Sequence, residues 1–334
     1  MKENQNQTEI YKLLLIITTI FVGLSFVIGA YFIVSAANKN LFIFQKSSLP
    51  QSPTPPGQSP QQNATFDAIS PNFDNVNFTV SADGKNWQPG NLIAKSASVP
   101  DIIQLKKDSG NFKKDDLLIY FANFSNFGQP KLEALGLIVS HDNGKTWSNR
   151  TAINLDKGAA VDPSIVQLDD GRLRLYFFGP ETIAGDPALA PGPHKVYSAI
   201  SSDGINFTAE TGVRFQDNNL TDPEVIRYGN QWFMYYSVGS ATKLAVGSDG
   251  LNFSAHMITG GNIGGVPGAV VFDGGVRLFA CGKGLTTTTA SDGINFTKEQ
   301  ADIFGGKIRG LVCDPAVIKM ANGGYSMVYK TKGN

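Results

Sequence analysis

Short apolar runs rich in aromatics recur along the chain from Phe73 onward, at 117–121, 173–178, 232–236, 277–280 and 325–329. Each is bounded by Gly, Asp, Asn or Pro, which is the punctuation of strands rather than of helices. Two polar repeats are interleaved with them. The first is an acidic turn, complete in Ser201-Ser202-Asp203-Gly204-Ile205-Asn206-Phe207 and repeated at Ser81–Trp87, Ser140–Trp147 (one residue longer), Ser248–Phe253 and Ser291–Phe296. Its chemistry is that of a hairpin. The Asp accepts backbone N–H groups just ahead of it, the Gly supplies positive φ, and the aromatic returns to pack on a sheet.

The second repeat precedes each aromatic run. Its copies are Val99-Pro100-Asp101-Ile102-Ile103, Val161-Asp162-Pro163-Ser164-Ile165-Val166, Thr221-Asp222-Pro223-Glu224-Val225-Ile226, Val266-Pro267-Gly268-Ala269-Val270-Val271 and Cys313-Asp314-Pro315-Ala316-Val317-Ile318. One such start, one aromatic strand, a strand into the acidic turn and a strand out of it make four antiparallel strands, the composition of a propeller blade. The last unit has only its first two strands, and the first acidic turn arrives with only a third and fourth. Joined, the two halves make one blade and remove a free sheet edge. The expectation is an all-β, five-bladed β-propeller, with blades at 101–157, 162–217, 222–260, 267–305 and a composite of 314–334 with 74–94.

Ahead of this domain lies a different pattern. Residues 13–36 form an uncharged apolar run of 24 residues. That is enough to span a bilayer and longer than the core of a signal peptide. Residues 37–72 are rich in Pro, Gln and Ser, the composition of an extended spacer. The organisation expected is a short cytoplasmic N-terminus (1–12), a single transmembrane anchor (13–36), a linker (37–72) and the propeller (73–334) held outside the cytoplasm at the cell membrane.

Composition excludes several classes. Lys plus Arg equals Asp plus Glu at 28 each, so no net field argues for nucleic acid. Three scattered histidines and two cysteines share no metal-ligand spacing. No cofactor motif is present. An axial channel lined by carboxylates and carbonyls would be open to a cation such as Ca2+, with no motif behind it. Cys281 and Cys313 should open onto the same face in adjacent blades, where an oxidising compartment would permit a disulfide.

In a propeller the first strand of every blade lines the axis. The second repeat therefore sets Asp101, Asp162, Asp222 and Asp314 at one mouth, with Gly268 in the fourth blade, and strand alternation adds Glu224 to the side of Asp222. Carboxyls crowded there would repel one another, so that an acid and a base can coexist near neutral pH. The competing reading is structural, with each Asp-Pro a turn device satisfied by backbone N–H groups. Asn123, Phe178 and Lys330 end second strands near the same rim. Glu181 and His194 lie on the longest insertion, 179–194, a candidate substrate wall.

The stretch from Asp162 to Phe177, DPSIVQLDDGRLRLYF, resembles the strand pair of the five-bladed propeller glycoside hydrolases of the family 43, 32 and 130 type. Ser140 to Trp147 is similar to the Asp-box of sialidases, which sits at outer hairpins away from the active site. The resemblance covers residues 74–334. It implies a funnel with an Asp base, a tuning Asp and a Glu acid, which fall on Asp101 (or Asp314), Asp162 and Glu224; the Glu-Gly-Pro usual at the acid is replaced by Thr221-Asp222-Pro223-Glu224. The arginines show no sialidase triad. The function expected is that of a membrane-anchored carbohydrate-active enzyme hydrolysing O-glycosyl bonds. The alternative is a non-catalytic glycan- or protein-binding propeller on a stalk.

Overall fold

The computed structural model describes residues 74–125, 134–156, 160–178, 193–260, 263–282 and 284–333. The expected anchor and linker lie outside the described residues. Among the described residues, no helix is long and apolar enough to cross a membrane.

Among the described residues there are five sheets, as the repeats require. The first blade is β3 (Ala97–Gln104), β4 (Leu117–Asn123), β5 (Ala134–Ser140) and β6 (Thr151–Ala152). The second is built on β8 (Ser164–Gln167), β9 (Leu173–Phe178), β10 (Pro193–Ser201) and β11 (Asn206–Ala209), with β12 (Phe215–Asn218) also paired to β10. The third runs β13 (Leu220–Tyr228), β14 (Gln231–Val238), β15 (Ala241–Gly247), β16 (Ser254–His256). The fourth runs β17 (Gly265–Phe272), β18 (Gly275–Gly282), β19 (Gly284–Ala290), β20 (Thr297–Gln300). The fifth is composite: β21 (Val312–Lys319) and β22 (Tyr325–Lys332) from the end of the chain pair with β1 (Asp74–Ser81) and β2 (Asn91–Lys95) from its start. The closing ladder is antiparallel and unbroken from Asp74↔Lys332 to Ser81↔Tyr325.

The second strand of each blade is apolar at nearly every position because both of its faces are covered. Leu117, Ile119 and Phe121 pack toward the composite blade, while Leu118 and Tyr120 pack toward the second blade. Hydrophobic clusters of this kind fill each interface around the ring. The core is thus a ring of five wedges between blades rather than one central mass.

The acidic turns sit at the outer hairpins. Asp203 Oδ1 accepts the N–H groups of Ile205 (2.9 Å) and Asn206 (2.8 Å), and its Oδ2 accepts Asn206 Nδ2 (2.7 Å). Asp83, Asp249 and Asp292 repeat the pattern. The amides of Asn206, Asn252 and Asn295 are therefore engaged by their own turns, a structural reason for the recurring Asn-Phe-Thr/Ser triplets.

Each turn also joins its blade to the one before. Tyr120 donates its hydroxyl to Gly204 O (2.8 Å), Tyr176 to Gly250 O (2.7 Å) and Tyr235 to Gly293 O (2.8 Å), while Arg277 donates to Gly84 O (3.2 Å). At the fifth junction the Phe78 ring lies against Gly144, where an added Cβ would come within 2.3 Å of it. The outer edge is likewise shared. The chain leaving the first blade, expected to stay in it to residue 157, instead forms β7 (Asn154–Leu155) and pairs in parallel with β11 of the second.

Cys281 and Cys313 are joined by a disulfide with Cα atoms 4.8 Å apart. It ties the end of β18 to the start of β21, closing a loop of 32 residues between the fourth and fifth blades. In the chain-entropy account a loop of that length stabilises the fold by about 3–4 kcal/mol. The Cys281→Ala/Cys313→Ala variant should unfold at lower denaturant by that amount and become insensitive to reductant. Equal stability of wild type and variant under oxidising conditions would contradict this.

Candidate functional site

The constant residue of the second repeat is its proline, not its aspartate. Pro100, Pro163, Pro223, Pro267 and Pro315 stand at equivalent positions at the starts of β3, β8, β13, β17 and β21. The residue before each proline is Val99, Asp162, Asp222, Val266 or Asp314, and all five occupy the left-handed region, with φ of 42°, 50°, 49°, 54° and 47°. A residue before proline normally avoids compact conformations, so this backbone is held by its surroundings. In four blades a bulge interrupts the ladder at this point. Proline suits the bulge because it brings no N–H to leave unpaired.

This register corrects the expected alignment. Asp101 follows its proline, whereas Asp162, Asp222 and Asp314 precede theirs, so the carboxyls form two tiers. The outer tier comprises Asp162, Asp222 and Asp314. The inner tier comprises Asp101, Ser164, Glu224, Gly268 and Ala316.

The inner tier links blade to blade around the axis. Asp101 Oδ2 accepts Ile165 N–H (2.6 Å), Ser164 Oγ accepts Val225 N–H (2.9 Å) and Glu224 Oε1 accepts Ala269 N–H (3.1 Å). In each case the donor belongs to the next blade, one residue beyond its own inner-tier position. Gly268 has no side chain because the carbonyl of Pro315 passes where its Cβ would stand, at 1.8 Å. Ala316 offers no acceptor to the first blade, and there Asp101 serves its own strand, taking Ile102 N–H on Oδ1 (2.7 Å). Both oxygens of Asp101 thus carry backbone donors. Burial pushes its pKa up to about 7 against those bonds. Burial, and then repulsion from Asp101, raises Glu224 well above the ordinary carboxyl range.

The outer tier is the mouth. Asp162 Oδ2 accepts Asp222 N–H at 3.2 Å. Asp314 forms an ion pair with Lys330 Nζ, which also lies 3.9 Å from Asp74. Asp74 in turn pairs with Lys332 and accepts the Ser98 hydroxyl at 2.7 Å, so the charge chain crosses from the composite blade to the first. Burial, then repulsion from Asp222, raises the Asp162 pKa well above normal. Burial and the nearby Asp314 lift Asp222 to about 6, with Thr221, Lys330 and Ser237 opposing. Burial disfavours the Lys330 charge, but Asp314, Asp74 and Asp222 outweigh it and hold the ammonium above its usual range. The cavity at the mouth is about 30 Å3, walled by the five prolines and the residues beside them.

The remaining expected residues divide. Lys330 joins the mouth. Asn123 Oδ1 is engaged by Arg150 and by Ser125 (2.9 Å to its Oγ), so it braces a loop end. His194 is buried in β10 and donates from Nδ1 to Leu220 O of the third blade at 2.7 Å, so it joins two blades rather than lining a rim. Phe178 ends β9 opposite Val196. Glu181 lies outside the described residues. Asp74 and Ser98 were missed, because neither belongs to a repeat; the signal for Asp74 was its place at the first residue of the closing ladder. The sulfurs of Cys281 and Cys313 and the Asp314 carboxylate lie within 4.8 Å of one another. With the sulfurs joined and the carboxylate paired to Lys330, this cluster offers no free ligand set for a metal.

No protein-family model and no curated protein matches the sequence. Among solved structures the chain is similar to the α-L-arabinanase of Penicillium chrysogenum complexed with arabinobiose (TM-score 0.50, 14% identity, covering 79% of this chain and 94% of that one). It is also similar to a GH43_1 enzyme from Xanthomonas citri complexed with xylotriose (0.49, 12%, 71% and 87%). A third is a family 117 glycoside hydrolase produced by the marine bacterium Zobellia galactanivorans (0.46, 16%, 78% and 90%).

The two kinds of acid give stability a pH optimum. Acids raised by the fold keep their protons where the unfolded chain, at 3.8 for Asp, has lost them; stability therefore falls as pH rises through Asp222 at about 6 and Asp101 at about 7. The outer turns act with the opposite sign. Asp142, bonded by Thr146, and Asp203, where Asn206 and Ile205 outweigh partial burial, are held at about 2, so their contribution is lost as pH falls from 3.8 toward 2. The urea midpoint should peak at about pH 4.5. Glu224→Gln, which keeps an acceptor for Ala269, should flatten the neutral limb and leave the acid limb unchanged. A wild-type midpoint that rises from pH 5 to 8 would refute the assignment.

The described residues form the five-bladed β-propeller fold found in glycoside hydrolases.

Proposed function

We propose that the chain is a membrane-anchored, extracytoplasmic carbohydrate-active propeller that hydrolyses O-glycosyl bonds at the mouth formed by Asp162, Asp222 and Asp314. The observation that carries this is the convergence of three carboxyls and Lys330 on one mouth, with Asp162 raised by burial and by Asp222, and Asp222 raised by burial and by Asp314. A carboxyl that keeps its proton near neutral pH can donate it to the departing glycosidic oxygen, which is the role assigned to Asp162. Asp314, paired with Lys330, is the second carboxyl of a two-carboxyl mechanism. Asp101 and Glu224, expected at first as base and acid, hold backbone donors one tier deeper and shape the floor. Glu181, on the insertion of the second blade, stays in the proposal as a substrate-wall residue.

Several observations support the wider reading. The fold likeness to an arabinanase holding arabinobiose favours a carbohydrate ligand. The apolar run at 13–36 and the disulfide suit an anchored domain in an oxidising compartment. The second reading, a non-catalytic binding propeller, is favoured by the size of the mouth, since about 30 Å3 holds little more than one water.

A panel of aryl glycosides, arabinofuranosides included, separates the two. Hydrolysis by wild type with a loss of about 100-fold or more in Asp162→Asn, at unchanged thermal stability, is the expected result. Saturable oligosaccharide binding with no turnover of any glycoside would establish the binding reading instead.

A further inference from the structure

The axial channel continues past the inner tier into a much larger cavity, of about 800 Å3, at the opposite end from the mouth. Asp101 and Glu224 form its floor. Its rim lies three residues further along each inner strand, about 10 Å deeper into solvent at the rise of a β-strand. Gln104, Gln167, Arg227 and Lys319 occupy that level, and the first-blade hairpin beside them contributes Lys106, Lys107 and Lys114. Five cations thus line the cavity against Asp115 and Asp169 at its rim, in a chain whose total charges balance.

The rim is braced from blade to blade without a ligand. Gln104 Oε1 accepts Ala321 N–H (2.7 Å) of the fifth blade, and Gln167 Oε1 accepts Lys106 N–H (2.7 Å) of the first. Arg227 donates to Asp169 at 2.8 Å and Lys319 to Asp273 at 2.5 Å. These two carboxylates are 88% and 92% exposed, so the pairs are weak and open to exchange with another anion. The Lys106 and Lys114 ammonium groups have no carboxylate partner among the described residues. Between rim and floor the walls carry half-buried Ile103, Val166, Ile226 and Ile318.

A pocket of this size, preformed, with cations at the rim, aliphatic walls and hydrogen-bonding carboxyls below, exceeds what a single inorganic anion needs. We propose that this end of the channel binds an anionic saccharide, a short sugar chain bearing carboxylate or sulfate groups. Its charged groups meet Arg227, Lys319 and Lys106, its C–H faces lie on the aliphatic walls, and its hydroxyls reach the Asp101–Glu224 floor. The site is separate from the proposed hydrolytic mouth and does not depend on it.

Titration calorimetry on the full-length chain in detergent tests this with four probes: a trigalacturonate, a sulfated disaccharide, neutral maltotriose and pyrophosphate. One of the two anionic saccharides should bind one-to-one, more weakly in 0.5 M salt, with no binding of maltotriose. Which of them binds distinguishes carboxylate from sulfate. The Arg227→Gln/Lys319→Gln variant should weaken binding about tenfold or more. Lys106→Gln, which removes no bond that holds the fold, should weaken it in the same direction, and Asp162→Asn should leave it unchanged. Absence of binding by both anionic saccharides, equal binding of maltotriose or pyrophosphate, or binding insensitive to the rim variants would overturn the proposal. Loss in Asp162→Asn alone would move the ligand to the mouth.

Discussion

Five inner strands meeting at one axis leave polar backbone groups facing a narrow channel, and the contacts that satisfy them are the constraint on which the structure turns. At the inner tier each blade hands an acceptor to the next: Asp101 to Ile165, Ser164 to Val225, Glu224 to Ala269. Where no acceptor exists the backbones close up instead, as at Gly268 against Pro315. A buried N–H left without a partner costs about 1–3 kcal/mol, so these positions tolerate few residue types. The left-handed residue before each proline aims the strand so that this contact can form, and its strain is spread over all five blades.

That waist separates two cavities of different lining. Toward the strand starts lie three carboxyls and a lysine in a small mouth; toward the strand ends lies a wide cavity with a cationic rim. Glu224 borders both. The disulfide joins the composite blade to the fourth, the Ser98–Asp74 bond joins it to the first, and the Asp74–Lys332 pair ties its own closing ladder. Ring closure, the step with the longest sequence separation, is therefore reinforced on the same face as the mouth.

The architecture was legible in the sequence because it is written by repetition. Five acidic turns counted the blades, and two half-units at the ends disclosed the composite one. The site was less legible because the chemistry is not repetitive. Reading the second repeat by its aspartates placed Asp101 beside Asp162, and only the proline frame, visible in Pro100 against Pro163, separates the tiers. Asn123 is read from its place at a strand end and His194 from its place on the long insertion, and neither position gives a sign of which side-chain atoms their neighbours will occupy. The basic rim was hidden for a related reason: Lys106, Arg227 and Lys319 lie in three blades, and nothing local joins them.

The same residue type carries two opposite roles in this fold, and solvent decides between them. Asp83, Asp142, Asp203, Asp249 and Asp292 stand at outer hairpins, where water and several N–H donors favour the anion, and all are held below the ordinary carboxyl range. Asp101, Asp162 and Asp222 also accept hydrogen bonds, yet protein encloses them, and Asp162 and Asp222 face other acids. Burial and repulsion then exceed what those bonds return. An aspartate in a hairpin is cheap to keep ionised and therefore serves structure. One at the axis keeps a proton near neutral pH, which weakens the fold there and makes that proton available for transfer.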